Sequence, residues 1–299
     1  MEGALFVVNP NAASGRAARV WEWLQGKHPA LRHAAVVRCS DPRSATERMR
    51  AALSPAVRRL IVLGGDGTLH HAINLLLDEG VGETCSIGLI PVGTGSDLAR
   101  GLRLEKRPER ALQAALESPP RPMDLLRLEA GGRAQHLINV ASLGLSAHVV
   151  SRVNALPRRN AFTFLNASLR ALFGENPLCL RITLDGQLWR EGSFYLAVVA
   201  NGSCFAKGMR IAPDADPHDG LAEVVAIEAV ARARVLPWLP TAYFGKHLAA
   251  PFVHSRRAKM IELDTAGAHP LFEGDGELAL PAPGRIRVVS GALRFCGAR

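Results

Sequence analysis

Three short polar segments of this sequence combine glycine with Asn, Asp, Ser or Thr, and each follows a β-like apolar run. The strongest is Gly64-Gly65-Asp66-Gly67-Thr68, after Leu60–Leu63. Glycines let backbone N–H groups approach phosphate oxygens with no Cβ in the way. The N-terminus of a following helix favours the same anion. Asp66 is placed to act through Mg²⁺ on such phosphates, although a glycine-rich turn with an N-capping Asp has the same composition. The second segment, Pro91-Val92-Gly93-Thr94-Gly95-Ser96-Asp97, follows Ser86–Ile90; Gly93, Thr94 and Gly95 could line a nucleotide, and Asp97 opens a short helix. In the third, Asn9-Pro10-Asn11-Ala12-Ala13-Ser14-Gly15, Asn9 and Ser14 can hydrogen-bond phosphate or ribose and Gly15 permits a tight turn. The third segment taken alone reads equally as a capped loop. Three such loops, at three strand ends, point to one shared phosphate site. No GxxxxGK[ST] segment occurs, which excludes the P-loop arrangement.

The elements that must position these loops alternate in the first 120 residues or so. Strands are expected at Ala4–Val8, Ala34–Arg38, Leu60–Leu63 and Ser86–Ile90, and helices at Gly15–Gln25, Ser44–Leu53 and Leu69–Asp78. Strand–helix alternation predicts a parallel sheet with helices on both faces, and ligands to such sheets bind beyond the carboxyl ends of the strands. The texture changes at Ser118-Pro119-Pro120-Arg121-Pro122, where a domain boundary is expected. Beyond it lie β-like runs at Asp124–Glu129, Gln135–Val140, Leu178–Leu184, Phe194–Ala200, Leu221–Ile227, Met260–Asp264 and Arg285–Val289. Two helical stretches, Ala161–Phe173 and about Arg234–Leu248, interrupt them. The expected architecture is an α/β parallel-sheet nucleotide-binding domain over 1–122, then an antiparallel β-sandwich domain over 123–284.

Composition narrows the function classes. The chain has 299 residues, long enough for two ordinary domains, and its 48% hydrophobic and 21% charged residues are those of a globular protein. Five scattered cysteines with no CxxC pair argue against a disulfide framework or a zinc site. The formal charge of +9 suits nucleic acid, anionic lipid or a polyphosphate equally, but nucleic-acid motifs are missing. With no signal-peptide pattern and no apolar run near the roughly 20 residues that cross a bilayer, the expected location is cytoplasmic.

Taken in order, Asn9-Pro10 with Ser14-Gly15, Gly64–Thr68 and Gly93–Asp97 resemble the nucleotide-binding motifs of the diacylglycerol kinase catalytic-domain family, bacterial soluble lipid kinase type. The likeness continues through Asn139–Gly144, Ala200-Asn201-Gly202, Gly208-Met209, Ile211-Ala212-Pro213, Asp219-Gly220-Leu221 and Asp275-Gly276-Glu277. It implies an ATP-binding domain related to that of NAD kinases, a β-sandwich lipid-substrate domain with the active site between them, and a last strand, about 285–299, free to return to the first domain. The implied nucleotide-binding set is Asn9, Pro10, Asn11, Ser14, Gly15, Ser40, Gly64, Gly65, Asp66, Gly67, Thr68, Leu69, His70, Gly93, Thr94 and Gly95. Asp66, Asp97 and Asp124 match the acids that organise catalytic Mg²⁺, and Glu277, with Asp275 beside it, matches the proposed general base. A second, structural Mg²⁺ maps to Asp216, Asp219 and the carbonyl of Leu221. The implied reaction moves the γ-phosphoryl group of ATP to the hydroxyl of a diacylglycerol-like lipid at an anionic membrane surface, on the inner face of the membrane; homodimers occur in the family. An NAD kinase and a non-catalytic lipid- or nucleotide-binding regulator are the alternatives.

The chain departs from the family pattern at four places. His71 stands where an acid is usual, Ser96 where Asn is commoner, Ser146 where Asp is common, and Ala206-Lys207 interrupts a glycine run. Two stretches offer lipid access: Pro157-Arg158-Arg159 leading into Phe162, Phe164, Leu165, Leu169, Leu172 and Phe173, and Trp238, Tyr243, Phe244 and Lys246. Both read equally as core-facing helices.

Overall fold

The structure is a computed structural model that describes residues 3–92, 96–156 and 161–297, without the side chains of residues 42–44 and 161. It contains two compact units, residues 1–123 with 291–299, and residues 124–290.

In the first unit, β1 (Ala4–Val8) lies between β2 (Ala35–Arg38) and β3 (Arg59–Gly64), and β4 (Ser86–Pro91) pairs with β3, all parallel. Every residue of β1 is buried. A run such as Ala-Leu-Phe-Val-Val, apolar on both faces, belongs in the middle of a sheet covered by helices on both sides. Those helices are α1 (Arg16–Lys27), α2 (Pro42–Ala52), α3 (Asp66–Asp78), α4 (Asp97–Gly101) and α5 (Pro108–Glu117). Phe6 and Trp21 meet at 5.2 Å between ring centroids, inside a core shared with Leu24, Leu63, Ile90 and Leu112. A fifth parallel partner comes from the far end of the sequence. Phe295 and Cys296, at the end of β15 (Gly284–Cys296), pair with Ile87 and Gly88 of β4.

The second unit is antiparallel. Its elements are β5 (Arg121–Ala130, beginning in the first unit), β6 (Arg133–Leu137), β7 (Val140–Gly144), α6 (Leu145–Asn154), α7 (Ala161–Gly174), β8 (Leu178–Leu184), β9 (Gln187–Ala200), β10 (Ala222–Glu228), α8 (Arg232–Val235), β11 (Val253–Ala258), β12 (Met260–Asp264), β13 (Leu271–Gly274), β14 (Glu277–Pro281) and the start of β15. Strand β9 is the hub, pairing with β7, β8 and β10. Alternate residues of β9 and β10 feed two cores. Val199 and Val224 join Leu143, Ile182, Phe194 and Phe272, while Val198 and Val225 join Tyr195, Ile211 and Phe252.

Three differences from the sequence reading have local causes. Helix α3 starts at Asp66 rather than Leu69, because Gly67 and Thr68 complete its first turn and Asp66 sits at the end where an acid is stabilised. The stretch expected as one helix over Arg234–Leu248 is α8 followed by three 3-10 turns, since Pro237, Pro240 and Gly245 interrupt it. The run Gln135–Val140 divides into β6 and β7 because the amides at its centre are donated elsewhere, as shown below. Helices α5 and α6 and strand β11 were not anticipated from the sequence, whereas Asp275-Gly276-Glu277, readable as a hairpin turn, does join β13 to β14.

Gly144 joins β7 to α6 at φ +114, and a Cβ there would collide with the Tyr195 carbonyl oxygen. Gly144→Ala is therefore expected to lower stability by about 2–4 kcal/mol, adding steric cost to backbone strain. An unfolding midpoint in denaturant equal to that of the unaltered protein would contradict this.

Candidate active site

The carboxyl ends of β1, β3 and β4 are tied together by polar groups of the loops that follow. The Asn9 backbone N–H donates to the Leu63 carbonyl at 3.1 Å, and its side-chain amide donates to Thr68 Oγ1 at 3.0 Å. Asn9 Oδ1 in turn accepts the Asn11 N–H, and Asn11 Nδ2 reaches the Ser40 carbonyl at 3.3 Å. Asp66 makes the next tie. One of its oxygens accepts Ser96 Oγ at 2.7 Å and the other the Asp97 N–H at 2.8 Å. Residues 30 or more positions apart are thus fixed to one another where α3 begins. Ser96, a departure from the usual Asn, supplies one of these ties.

Two glycines of the cradle differ in purpose. A Cβ on Gly64 would press on Thr68 at 2.9 Å, so the protein's own packing requires that glycine. Gly65 has ordinary extended backbone, and a Cβ there would meet nothing within 4 Å. Among the described residues nothing demands glycine at 65; a ligand drawn close to its backbone would. Ala13, Ser14 and Gly15 all take left-handed backbone before α1. Leu69 and His70 are buried in the first turns of α3, with His70 against Asn74, and the His70 and His71 rings meet edge to face at 5.8 Å. Pro10 and Gly67 lie in the turn after β1 and the first turn of α3. Gly93, Thr94 and Gly95 lie outside the described residues, as do Pro157-Arg158-Arg159.

In the second unit Asp124 and Asp275 act on backbone. Asp124 Oδ2 accepts the Gly220 N–H at 2.7 Å, and its carbonyl accepts Asn201 Nδ2, which also bonds the Ile138 carbonyl. Asp275 accepts three successive N–H groups, from Ile138, Asn139 and Val140, at 2.8–3.1 Å. Those amides are what separate β6 from β7. Glu277 follows at the start of β14, its side chain exposed. Beneath it is Glu273, which sequence reasoning missed: a buried glutamate paired with Ser142 Oγ and accepting the Gly276 N–H at 2.7 Å. Burial pushes its carboxyl up to about 7, against the two hydrogen bonds and with the help of the Asp275 charge. The only sequence signal was an acid amid apolar neighbours in Leu271-Phe272-Glu273. Ser146, another departure, extends this contact through Ser142 Oγ at 2.7 Å. Ala206 and Lys207 both take left-handed backbone.

The acids of the cradle offer the hard carboxylate oxygens that Mg²⁺ prefers. No cluster of three or more His, Cys, Asp or Glu able to hold a metal occurs among the described residues. The structural Mg²⁺ expected at Asp216, Asp219 and Leu221 meets a competing cation. Arg257 Nη1 lies 3.1 Å from Asp219 Oδ2, its Nη2 donates to the Asp214 carbonyl at 2.6 Å, and its Nε reaches Glu223. Asp216 and the other Asp219 oxygen accept the His218 and Leu221 N–H groups. Arg257 thus shares the Asp219 carboxylate with the Leu221 amide.

With this geometry in view, residues 3–128 match the diacylglycerol kinase catalytic domain, and residues 139–297 match the YegS C-terminal NAD kinase beta sandwich-like domain. A nucleotide-binding α/β unit followed by an NAD-kinase-like β-sandwich defines the class as a kinase. More particularly, the chain belongs to the diacylglycerol kinase-like, YegS-like family of lipid kinases. It is similar to a protein of Mycobacterium tuberculosis (strain ATCC 25618 / H37Rv) named "Diacylglycerol kinase", 28% identical over 295 residues that cover 96% of this chain and 93% of that one. It is 30% identical over 249 residues to a protein of Xanthomonas axonopodis pv. citri (strain 306) named "Probable lipid kinase YegS-like", covering 82% and 80%. In fold it resembles a diacylglycerol kinase from Bacillus anthracis str. Sterne (TM-score 0.73, 21% identity, 98% and 96% covered). It also resembles yeast NADH kinase complexed with NADH (TM-score 0.52, 10% identity, 99% and 82% covered).

The raised position of Glu273 has a consequence for stability. The folded state holds this proton to about pH 7, whereas the unfolded chain releases it near 4.5. Its contribution is complete below that lower value and is lost as pH rises through about 7, a change of about 3 kcal/mol. Glu273→Gln, neutral throughout, is expected to gain on the unaltered protein by roughly that amount between pH 5 and pH 8 in denaturant unfolding. A difference between the two that stays constant with pH would refute the assignment.

Proposed function

We propose that this lipid kinase transfers the γ-phosphoryl group of ATP to the hydroxyl of a diacylglycerol-like lipid. The observation that supports the reading is the Asp66 tie, which fixes Ser96 and Asp97, after β4, to the start of α3 beside a glycine, Gly65, that packing among the described residues does not require. In this reading the amides of the Gly64–Thr68 segment and of Gly93–Gly95, with Asn9, Asn11, Ser14, Gly15 and Thr68, hold the nucleotide. Asp66 and Asp97 would hold the waters of a Mg²⁺ that, when bound, offsets charge on the phosphates. The transition state of phosphoryl transfer is loose, so the chain's work is positioning and charge neutralisation. A lipid hydroxyl is too weak an acid to ionise unaided near neutral pH. Glu277, exposed and carried on a hairpin whose turn is anchored by Asp275, takes its proton as attack proceeds, a contribution of about 10²–10⁴ in rate.

The test is transfer of label from γ-labelled ATP, with Mg²⁺, to diacylglycerol, monoacylglycerol, phosphatidylglycerol, ceramide or sphingosine in mixed micelles, with NAD alongside. Label is expected in a glycerolipid, with kcat at least a hundredfold lower in Glu277→Ala. Label in NAD alone would replace the reading with the dinucleotide one, and full activity in Glu277→Ala would remove Glu277 as the base.

We further propose that the chain works in the cytoplasm against the inner face of the membrane. Among the described residues no helix is long and apolar enough to cross a membrane. Phe162 and Phe173 are 74% and 56% exposed and, eleven residues apart, share one face of α7; Phe244 is 71% exposed. An apolar helix face on a chain of charge +9 suits an anionic lipid surface. Sedimentation with phosphatidylglycerol vesicles at low salt is expected to fall severalfold in Phe162→Ser/Phe173→Ser. Equal sedimentation of the variant would count against this face.

A further inference from the structure

The turn that carries Glu277 is held from below by a group outside the recognised motifs. Glu273 is only 2% exposed, in a β13 whose neighbours Phe272 and Gly274 are also buried. An apolar side chain would fill such a place without the desolvation that a carboxyl suffers there. What the carboxyl adds is a set of hydrogen bonds. One oxygen accepts the Gly276 N–H, and the other meets Ser142 Oγ on the adjacent strand β7.

The bond to Gly276 falls where the backbone most needs fixing. Asp275 and Gly276 both have positive φ, +52 and +93. Asp275 grips residues 138–140 on one side of the turn, while Asn154 Nδ2 of α6 donates to the Gly276 carbonyl at 3.2 Å on the other. The N–H of Gly276 goes to Glu273. Both peptide groups flanking Gly276 are therefore restrained, and the second of them contains the nitrogen of Glu277. The serine contact restrains Glu273 in turn. Ser142 has a single hydroxyl hydrogen and two oxygen neighbours, Glu273 and Ser146. When Glu273 carries its proton the bonds run from Glu273 to Ser142 to Ser146, and when it is ionised they run the other way. In both states Glu273 keeps an acceptor for Gly276.

We propose that Glu273 is a positioning residue for phosphoryl transfer, holding the Asp275-Gly276 turn so that Glu277 meets the acceptor hydroxyl in productive geometry. The inference rests on the reading of Glu277 as the base. Displacements of about 1 Å at a reacting group cost as much as a hundredfold in rate, so loss of this restraint acts on kcat rather than on nucleotide binding.

The experiment compares Glu273→Leu and Glu273→Gln with the unaltered full-length chain in the labelled-ATP assay, with Glu277→Ala in parallel. Glu273→Leu is expected to lower kcat at least tenfold while KM for ATP stays within twofold. Glu273→Gln, which keeps an acceptor for Gly276, recovers kcat to within about threefold. A Leu variant that folds and turns over at the normal rate overturns the inference, as does a Gln variant no better than Leu. If the Leu variant does not fold, the Gly276 amide proton decides in ¹⁵N-labelled protein. An upfield move of its resonance in Glu273→Gln, from exchanging a carboxylate acceptor for an amide one, is expected at pH 8, and an unmoved resonance overturns the inference. The two readings fail separately. Full activity in Glu277→Ala removes the base, whereas an inactive Glu277→Ala beside a fully active Glu273→Leu removes only the positioning role.

Discussion

One carboxylate fixes the second unit's polar layout. Asp275 takes the N–H groups of Ile138, Asn139 and Val140, three consecutive donors that a continuous strand would have spent on its neighbours. Because they turn toward Asp275, β6 ends at Leu137 and β7 begins at Val140. The segment between them brings in Asn139 and the Ile138 carbonyl, and through Asn201 the backbone of Asp124. An anionic acceptor bonded to several amides makes charge-assisted hydrogen bonds, about twice as strong as neutral ones. Asp275 is thus engaged with backbone amides, while its near neighbour Glu277 is exposed.

Asp66 does comparable work in the first unit. Its two oxygens gather Ser96 and the Asp97 N–H to the start of α3. Acids at the ends of strands here serve first as organisers of backbone amides. That use explains why polar loops, which have no apolar core of their own, can hold a defined shape where a phosphate is to be met. Glycines complete the arrangement in two ways: Gly64 yields room to Thr68, and a Cβ on Gly65 would meet none of the described residues within 4 Å.

Much of this was legible in the residues. Strands β1, β8 and β12 were read to their exact limits because each is a short β-rich run bounded by turn residues. The loops were legible as polar, glycine-bearing segments that follow β-like runs. What escaped depends on partners far away in sequence. The place of Glu273 is defined by Ser142, 131 residues earlier, and that of Arg257 by Asp219, 38 residues earlier. No local pattern distinguishes Glu273 from a surface glutamate, or Arg257 from the other arginines of a basic chain. Ser146 was read as a lost acid, yet it lies on the contact whose acid is Glu273, so a carboxyl is still present in that neighbourhood, supplied from another strand. Helix α3 began early because Gly67 looks like a breaker in a local reading, whereas the tie to Ser96 and Asp97 holds Asp66 in the first turn.

The pairing of Phe295 and Cys296 with Ile87 and Gly88 bears on how the protein is made. Strand β4 is synthesised roughly 200 residues before its outer partner. At about 5–20 residues per second on the ribosome, its edge stays open for roughly 10–40 s. During that time the second unit is being translated, and the nascent first unit exposes a row of unpaired backbone groups beside a buried, aliphatic strand. Such an edge is a template for pairing with other chains. Chaperone demand should therefore fall on this interval of synthesis, and on the edge of β4 within it.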